Sequence, residues 1–336
     1  MNSNDKQQPL PHSDPVLTAL SRTYVVVVTF CPDMDVLGRQ FARLAQQGVN
    51  VIVVDNHSPA QIEISKLASG YSYELVALSD NLGVAGAQNA GLDRVRSRHG
   101  EYIIFLDQDS IPGSRALVAL VDGLLTIGSG LKVAAVGSSY TLPSGNKGSS
   151  FVRFGWFHFK KIYCDSKSDS LQEVDFLISS GTLIPLSALT DVGPMNNELF
   201  IDHVDTEWFL RARSRGYRSF GCCSAQMSHA LGERTIRIWL GRWRTVPVHK
   251  GFRYYFTFRN SIWLYRQPWA PWKWVTADLK RLIYLFLFSG IFMSSRKDNL
   301  KWIFRGIRAG FDDAGAWDSQ AVIKEAQKET QGEMIQ

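Results

Sequence analysis

The sequence predicts an α/β protein with a mostly parallel sheet, followed by a helical, basic-aromatic C-terminal extension. Three observations carry this expectation. β-Branched runs alternate with amphipathic segments across residues 24–98, joined by short loops that suit right-handed crossovers. Those runs end in polar or acidic residues, at the sheet edge where such folds bind ligands. Beyond residue 235 the composition changes to tryptophan and tyrosine interleaved with arginine and lysine.

In chain order, residues 1–20 are polar and proline-bearing, which predicts a disordered lead-in and is unlike the apolar core of a signal peptide. Residues 24–29 (YVVVVT) read as a strand covered on both faces. Residues 33–47 read as an amphipathic helix with Leu37, Phe41 and Leu44 on one stripe. A second buried strand, 51–54, ends at Asp55, and a short strand near 74–77 precedes Asp80. A helix is expected over 84–98. The glycine-rich stretch 83–91 (GVAGAQNAG) lacks both a phosphate-loop lysine and the G-x-G-x-x-G spacing. Its small residues suit close packing on the sheet, and Asn89 is a candidate ligand contact.

Residues 102–106 form the next buried strand, which runs into Asp107-Gln108-Asp109-Ser110. On an extended backbone Asp107 and Asp109 point the same way and Gln108 the other. Paired carboxylates at a buried strand end suit a hard divalent cation that keeps some waters and meets a substrate phosphate. The plainer alternative is two solvated acids in a turn before Pro112. Thr29, Asp55, Asp80 and the Asp107/Asp109 pair all fall at the carboxyl ends of predicted strands.

Further strands are expected over 132–140 and 174–178, the first followed by a polar loop and the second by Ser179-Ser180-Gly181-Thr182. Asp202 is positioned to cap a helix running through Arg213, with Asp205 and Glu207 in its first turn. A strand-like run then leads to His229. After residue 235 the basic-aromatic interleaving suits either nucleic acid or a membrane interface. The apolar run 282–293 is shorter than the roughly 20 residues a membrane span needs, and basic residues flank it. That leaves an interfacial or a buried helix. The tail beyond Ser319 reads as a solvated or frayed helix.

The totals are those of an ordinary globular chain: 336 residues, 45% apolar and 20% charged, with net charge +6 and a pI near 9.1. The positive balance suits anionic partners. Cysteines at 31, 164, 222 and 223 include no C-x-x-C and one adjacent pair, a poor disulfide framework that favours a reducing, cytoplasmic setting.

The motifs V-V-V-V-T at 25–29, V-V-D-N at 53–56, N-L-G-V-A-G-A-Q-N at 81–89 and L-D-Q-D-S at 106–110 recur in order with S-S-G-T-L-I at 179–184, F-I-D-H-V-D-T-E-W at 200–208 and H-A-L-G at 229–232. Together they resemble the inverting family 2 glycosyltransferases, and more narrowly their bacterial rhamnosyltransferase branch. The resemblance implies a GT-A fold, with a Rossmann-like, mostly parallel sheet, and a divalent metal, Mg2+ or Mn2+. It implies that Thr29, Asp55 and Asp80 line a nucleotide-sugar site together with Asp107, that Asp107, Asp109 and His229 hold the metal, and that Asp205 is the catalytic base. It implies dTDP-L-rhamnose as donor and a saccharide acceptor, lipid-linked and met at the inner face of the cytoplasmic membrane. An anionic membrane surface is then the expected partner of the extension, rather than nucleic acid. A UDP-hexose or galactofuranose donor is the alternative within the family. A nucleotidyltransferase or a non-catalytic membrane scaffold are the alternatives outside it. The expected organisation is a lead-in to residue 20, a GT-A domain over 21–235, a helical membrane-peripheral region over 236–318 and a polar tail over 319–336.

Overall fold

The computed structural model describes residues 14–141, 151–164, 171–229, 235–239, 243–247, 251–291, 293, 296–312 and 317–333. The first departure from expectation is at the N-terminus. Helix α1 (Asp14–Ser21) occupies part of the supposed lead-in and packs against α5 (Ala116–Thr126). Val16, Ala19 and Leu20, spaced three and one apart, are all buried in one core cluster. Two turns of helix are enough to present that stripe, which is why a polar flank hid it.

Strand β1 (Thr23–Thr29) lies between β2 (Asn50–Asp55) and β4 (Tyr102–Asp107), parallel to both, and β3 (Glu74–Ala77) is parallel to β2. The register pairs Thr29 with Asp55 and Val28 with Asp107, so the acidic strand ends share one edge. Side chains alternate across the pleat. Val26, Ile52, Val54, Ile103 and Phe105 form one core with α4 (Gly83–Ser97). Val25, Val27, Val51, Val53, Ile104 and Leu106 form the other with α2 (Met34–Ala45), α3 (Gln61–Gly70) and α5. Both faces are covered, as the unbroken β-branched runs require. A Cβ at Gly91 would overlap Val26, so Gly91 serves close helix–sheet approach here.

Beyond β4 the sheet becomes mixed. Its order continues through β10 (Thr182–Pro185), β6 (Val133–Thr141), β11 (Arg218–His229) and β5 (Ser110–Pro112). β10 runs antiparallel to β4 and β6, while β11 is parallel to β6 and carries β9 (Leu171–Val174) along its outer side. The strand expected at 174–178 is therefore displaced. Residues 179–181 come before the pairing strand instead of after it, and Gly181, at φ +68, makes the turn while its N–H donates to the Phe105 carbonyl (2.8 Å). Two small hairpins, β7 (Phe151–Phe154) with β8 (Phe159–Ile162) and β12 (Thr235–Trp239) with β13 (Trp243–Pro247), stand apart from this sheet. The cysteine reading is corrected as well: Cys164 and Cys223 form a disulfide with Cα atoms 5.5 Å apart. Strand β11 presents alternate residues to opposite faces, so only one of the adjacent cysteines can meet Cys164; Cys222 is buried and free.

The helices α6 (Leu186–Val192) and α7 (Val204–Ser214) pack in the same core as α4, and α6 starts beside the amino end of β4, where Leu186 N donates to the Glu101 carbonyl (2.9 Å). The C-terminal region is α8 (Gly251–Tyr265), α9 (Trp272–Ile291), α10 (Arg296–Ala309) and α11 (Ser319–Glu333). Many of its aromatics form core in place of an interface: Tyr254, Tyr255 and Trp274 are buried. The apolar run in α9 is divided, with Leu282 and Phe288 buried and Ile283, Tyr284 and Leu287 about half exposed. Among the described residues no helix is long and apolar enough to cross a membrane. The tail is docked as well. Val322 and Ala326 of α11 pack with Phe200, Tyr255, Phe256 and Trp302.

Candidate active site

A cavity of about 1000 Å³ opens at the carboxyl edge of β1, β2 and β4. Its walls come from three sources. Val28 and Phe30 lie at the end of β1, Asn56 follows β2, Asn81 and Gly83 follow β3, and Asp107, Gln108 and Asp109 lie at the end of β4. Residues 200–205, with Phe252, Arg253, Ile323 and Ala326, close the other side.

Asp107 ends β4, but Gln108 and Asp109 form a turn rather than continuing the strand. The two carboxylates therefore reach one cavity through turn geometry, and the pleat argument does not apply. The turn is held from beneath. Gln40, wholly buried on α2, donates from Nε2 to the carbonyls of Asp107 (2.7 Å) and Ser110 (2.6 Å). One helix turn-pair further on, Gln47 donates to the Gly113 carbonyl (3.1 Å) and accepts from Leu117 N (3.1 Å). The Asp107 N–H donates to Ser180 Oγ (3.0 Å), which in turn donates to Ser110 Oγ (2.8 Å). Gln108 is not idle either, since its Oε1 accepts from Phe30 N (2.7 Å).

Two carboxylates on one rigid turn are the oxygen donor set a Mg2+ or Mn2+ ion takes when waters and a diphosphate complete its shell. His229 ends β11 with its backbone paired to Ser110, one residue from Asp109. Its side chain lies outside the described residues. Among those residues no group of three or more metal-ligating side chains comes together. The acidic turn fits a divalent ion as two of its ligands.

The predicted nucleotide residues separate into groups. Asp55 is wholly buried and accepts from Thr29 Oγ1 (3.0 Å), Ser58 Oγ (2.5 Å), Ser58 N (3.0 Å) and Gln61 Nε2 (3.3 Å). Thr29 and Asp55 thus brace the crossover after β2, and neither is on the cavity wall. Their neighbour Asn56 is, donating to Asn81 Oδ1 (2.8 Å) and accepting from Leu82 N (2.8 Å). Asp80 is exposed beside Ser79, off the wall, while Asn81 lines it. Asn89 departs from expectation: its amide binds the backbone of Met195 in both directions (2.8 and 3.0 Å) and Asn197 Oδ1 (2.6 Å). Those bonds fasten α4 to the chain before α7, so Asn89 is a brace and not a ligand contact.

On the opposite wall Asp205 stands in the first turn of α7. Its carboxylate accepts from Thr206 N (2.7 Å) and Ser179 N (3.3 Å). Burial raises its pKa above the usual carboxylate range, the hydrogen bonds from Thr206 and Ser179 oppose this, and the nearby Asp202 charge adds to the rise. Glu207, only 2% exposed, is bound twice by Arg211 (2.8 and 3.0 Å), off the wall. Asp202 does not cap α7, whose N-cap is His203 in a left-handed conformation. Asp202 instead meets Arg253 (3.0 Å) and Thr257 (2.9 Å); burial pushes its pKa up, but the Arg253 charge and hydrogen bonds, with His203 and the Thr257 hydrogen bond, together hold it low. His203 receives Arg281 Nη2 at Nε2 (3.0 Å), and burial holds the imidazole below its ordinary pKa.

Sequence reasoning missed Gln40, Asn56, Asn81, Arg253 and the α11 wall. A buried glutamine on the apolar stripe of α2 was the one visible signal.

Known proteins match this arrangement at several levels. Residues 24–167 match the family model described as Glycosyl transferase family 2. The chain is 28% identical over 304 residues to the dTDP-rhamnosyl transferase RfbF of Shigella flexneri, covering 87% of this chain and 95% of that protein. Among solved structures, S. aureus TarS 1-349 in complex with UDP-GlcNAc aligns with TM-score 0.52 at 14% identity, over 85% of this chain and 81% of that one. GalNAc-T7 with UDP, GalNAc and Mn2+ aligns with TM-score 0.52 at 10% identity, over 81% of this chain; this chain spans 56% of that longer one. At such identities the structures bear on the fold alone. The α/β sheet of this order is a GT-A-like fold, and the family match with the RfbF similarity supports a glycosyltransferase. The family 2 match over residues 24–167 and the similarity to RfbF together support a family 2 glycosyltransferase.

Proposed function

We propose that this enzyme transfers L-rhamnose from dTDP-L-rhamnose to a saccharide acceptor with inversion at the anomeric carbon. The observation that carries the reading is one cavity walled on one side by Asp107 and Asp109 and on the other by Asp205. Similarity over nearly the whole length of a dTDP-rhamnosyl transferase supports the donor. So does the wall formed by Phe30, Phe200, Ile201, Phe252 and Ile323, which suits a sugar bearing a methyl where a hexose bears a hydroxyl.

In the reaction, the acceptor oxygen forms its bond to the anomeric carbon as the bond to the diphosphate oxygen breaks, and the diphosphate leaves with the electron pair. The Asp205 carboxylate takes the acceptor's hydroxyl proton, and a raised pKa suits a base that must accept it. Asp107 and Asp109, with His229, are the residues to hold Mg2+ or Mn2+, which when bound offsets the charge of the departing diphosphate. Gln40 keeps the acidic turn in place, and Asn56 with Asn81 sets the opposite rim. Attack opposite the leaving group turns a β-linked donor into an α-linked product.

The acceptor is lipid-linked in this reading, and the enzyme works peripherally at an anionic surface on the cytoplasmic side. Half-exposed Leu279, Ile283, Tyr284 and Leu287 on α9, beside Lys280, support a docking face. The cysteines give the cytoplasmic reading no support, since Cys164 and Cys223 are bonded and disulfides are rare in a reducing compartment.

The deciding experiment is a competition among dTDP-L-rhamnose, UDP-glucose, UDP-galactose and UDP-galactofuranose, with and without chelator. Preference for dTDP-L-rhamnose, loss of turnover in chelator and an α-anomer by NMR are expected. Preference for a UDP-hexose overturns the donor, full activity in chelator the metal, and a β product the inversion.

A further inference from the structure

The chain enters α7 through a backbone that side-chain-bearing residues resist. Phe200, Asp202 and His203 have φ of +63°, +61° and +62°, and none is glycine. Left-handed backbone brings Cβ against the carbonyl oxygen, so three such residues within four positions persist only where their surroundings hold them. One face of α8 does so. Asn260, wholly buried, donates from Nδ2 to the carbonyls of Leu199 (3.0 Å), Ile201 (2.8 Å) and Asp202 (2.8 Å). Arg259, also wholly buried, donates to the carbonyls of Glu198 and Leu199, both at 2.9 Å. Thr257 and Arg253 hold the Asp202 carboxylate. Positions 253, 257 and 260 share a helix face, so the grip is a property of one surface. From the other side the Phe200 carbonyl accepts from Val84 N (2.7 Å) at the start of α4.

We infer that Asn260 is a positioning residue for the base, holding residues 199–203 in their left-handed path and thereby fixing where Asp205 stands. This rests on the reading of Asp205 as the base. The carbonyls of Leu199, Ile201 and Asp202 converge on one point, and oxygen atoms brought together repel unless a donor lies between them. Without that donor the loop relaxes toward negative φ and carries the first turn of α7 with it. Asn260 touches neither metal turn nor nucleotide rim, so binding of the dTDP nucleotide does not depend on it. A residue serving stability alone would affect the whole fold, and would leave turnover per folded molecule unchanged.

Asn260→Asp keeps the shape but sets an oxygen against the three carbonyls; Thr257→Val is a milder lesion of the same grip and decides the matter should the first variant not fold. Three quantities are read: hydrogen exchange of peptides covering residues 198–206, dTDP binding by calorimetry, and dTDP released from dTDP-L-rhamnose per dTDP-binding site. Asn260→Asp is expected to speed exchange in 198–206 with the β1–β4 peptides unchanged, and to lower turnover per site by about 10²-fold, the effect of a misplacement near 1 Å. Its dTDP affinity is expected to match wild type. Thr257→Val is expected to give the same pattern more weakly. Unchanged exchange in 198–206, or dTDP affinity falling in step with turnover, overturns the inference. Absence of dTDP release by the wild-type enzyme would count against the donor and leave exchange to decide the grip.

Discussion

Asp205 and Glu207 are two positions apart in one helical turn, and their surroundings differ. Asp205 faces the cavity with a raised pKa, whereas Glu207 is locked to Arg211. Asp205→Asn is expected to lower transfer by about 10²–10⁴-fold, the usual worth of a general base, with dTDP affinity kept. Turnover by the native enzyme is expected to fall on acidification at a pH above the ordinary aspartate range, because the base must be ionised. The linkage has a definite sign. A carboxyl whose folded pKa is raised stabilises the fold fully below its unfolded pKa, and that stability is lost as pH rises through the folded value. At neutral pH Asp205→Asn is therefore expected to melt above wild type. Glu207→Gln is the contrast: removing one partner of a buried pair costs about 3 kcal/mol. It should lower Tm while turnover per folded molecule stays near wild type. A larger loss of turnover than in Asp205→Asn would transfer the base to Glu207.

At the scale of elements, α11 is the segment whose role changes most. Its composition is that of a solvated helix, yet Val322 and Ala326 are buried, Ile323 and Ala326 wall the cavity, and Gln320 donates to the Asn81 carbonyl. Glu325 pairs with Arg305 (2.7 Å) and Lys301 (3.6 Å) of α10. These contacts span the nucleotide rim and the C-terminal helices. Truncation after Asp318 removes from the cavity one hydrogen bond and one apolar wall, together about 1–2 kcal/mol, so donor KM is expected to rise roughly tenfold. Kinetics with dTDP-L-rhamnose measure this, and an unchanged KM would return α11 to the solvated tail its composition suggests.

For the whole molecule, the C-terminal helices both support the site and present a surface. Their inner faces grip the loop before Asp205. On the outer side Ile283, Tyr284 and Leu287 of α9 are about half exposed, as is Phe304 of α10, whose ring lies 5.9 Å from Phe286. With a net charge of +6, attraction to an anionic bilayer is expected, each nearby Lys or Arg contributing about 1 kcal/mol. Sedimentation with anionic vesicles should weaken as salt rises. Ile283→Glu with Leu287→Glu should weaken it more than tenfold, since each apolar side chain withdrawn is worth about 1.5–3 kcal/mol. Binding that survives both charge changes would place the contact elsewhere.

The parallel half of the sheet, β1 to β4, and the residues at its carboxyl edge were legible because short-range patterns carry them. An unbroken β-branched run means two covered faces, and the acidic ends follow directly. The pairing of Asp107 with Asp109 was also legible, though for a different reason than the one that operates, since a turn and not a pleat brings them together. The choice between Asp205 and Glu207 needed the fold. Two acids in one turn differ in what surrounds them: Glu207 meets Arg211 four residues on, a pair that helix spacing offers, whereas burial of Asp205 beside Ser179 is decided by a segment distant in sequence. The same holds for Asn89 as a brace, for the bond between Cys164 and Cys223, and for the hold of Asn260 on residues 199–203. Sequence periodicity records which face of an element is apolar. Which polar groups meet inside is settled by long-range packing, because a hydrogen bond joins atoms within about 3 Å regardless of how much chain lies between them.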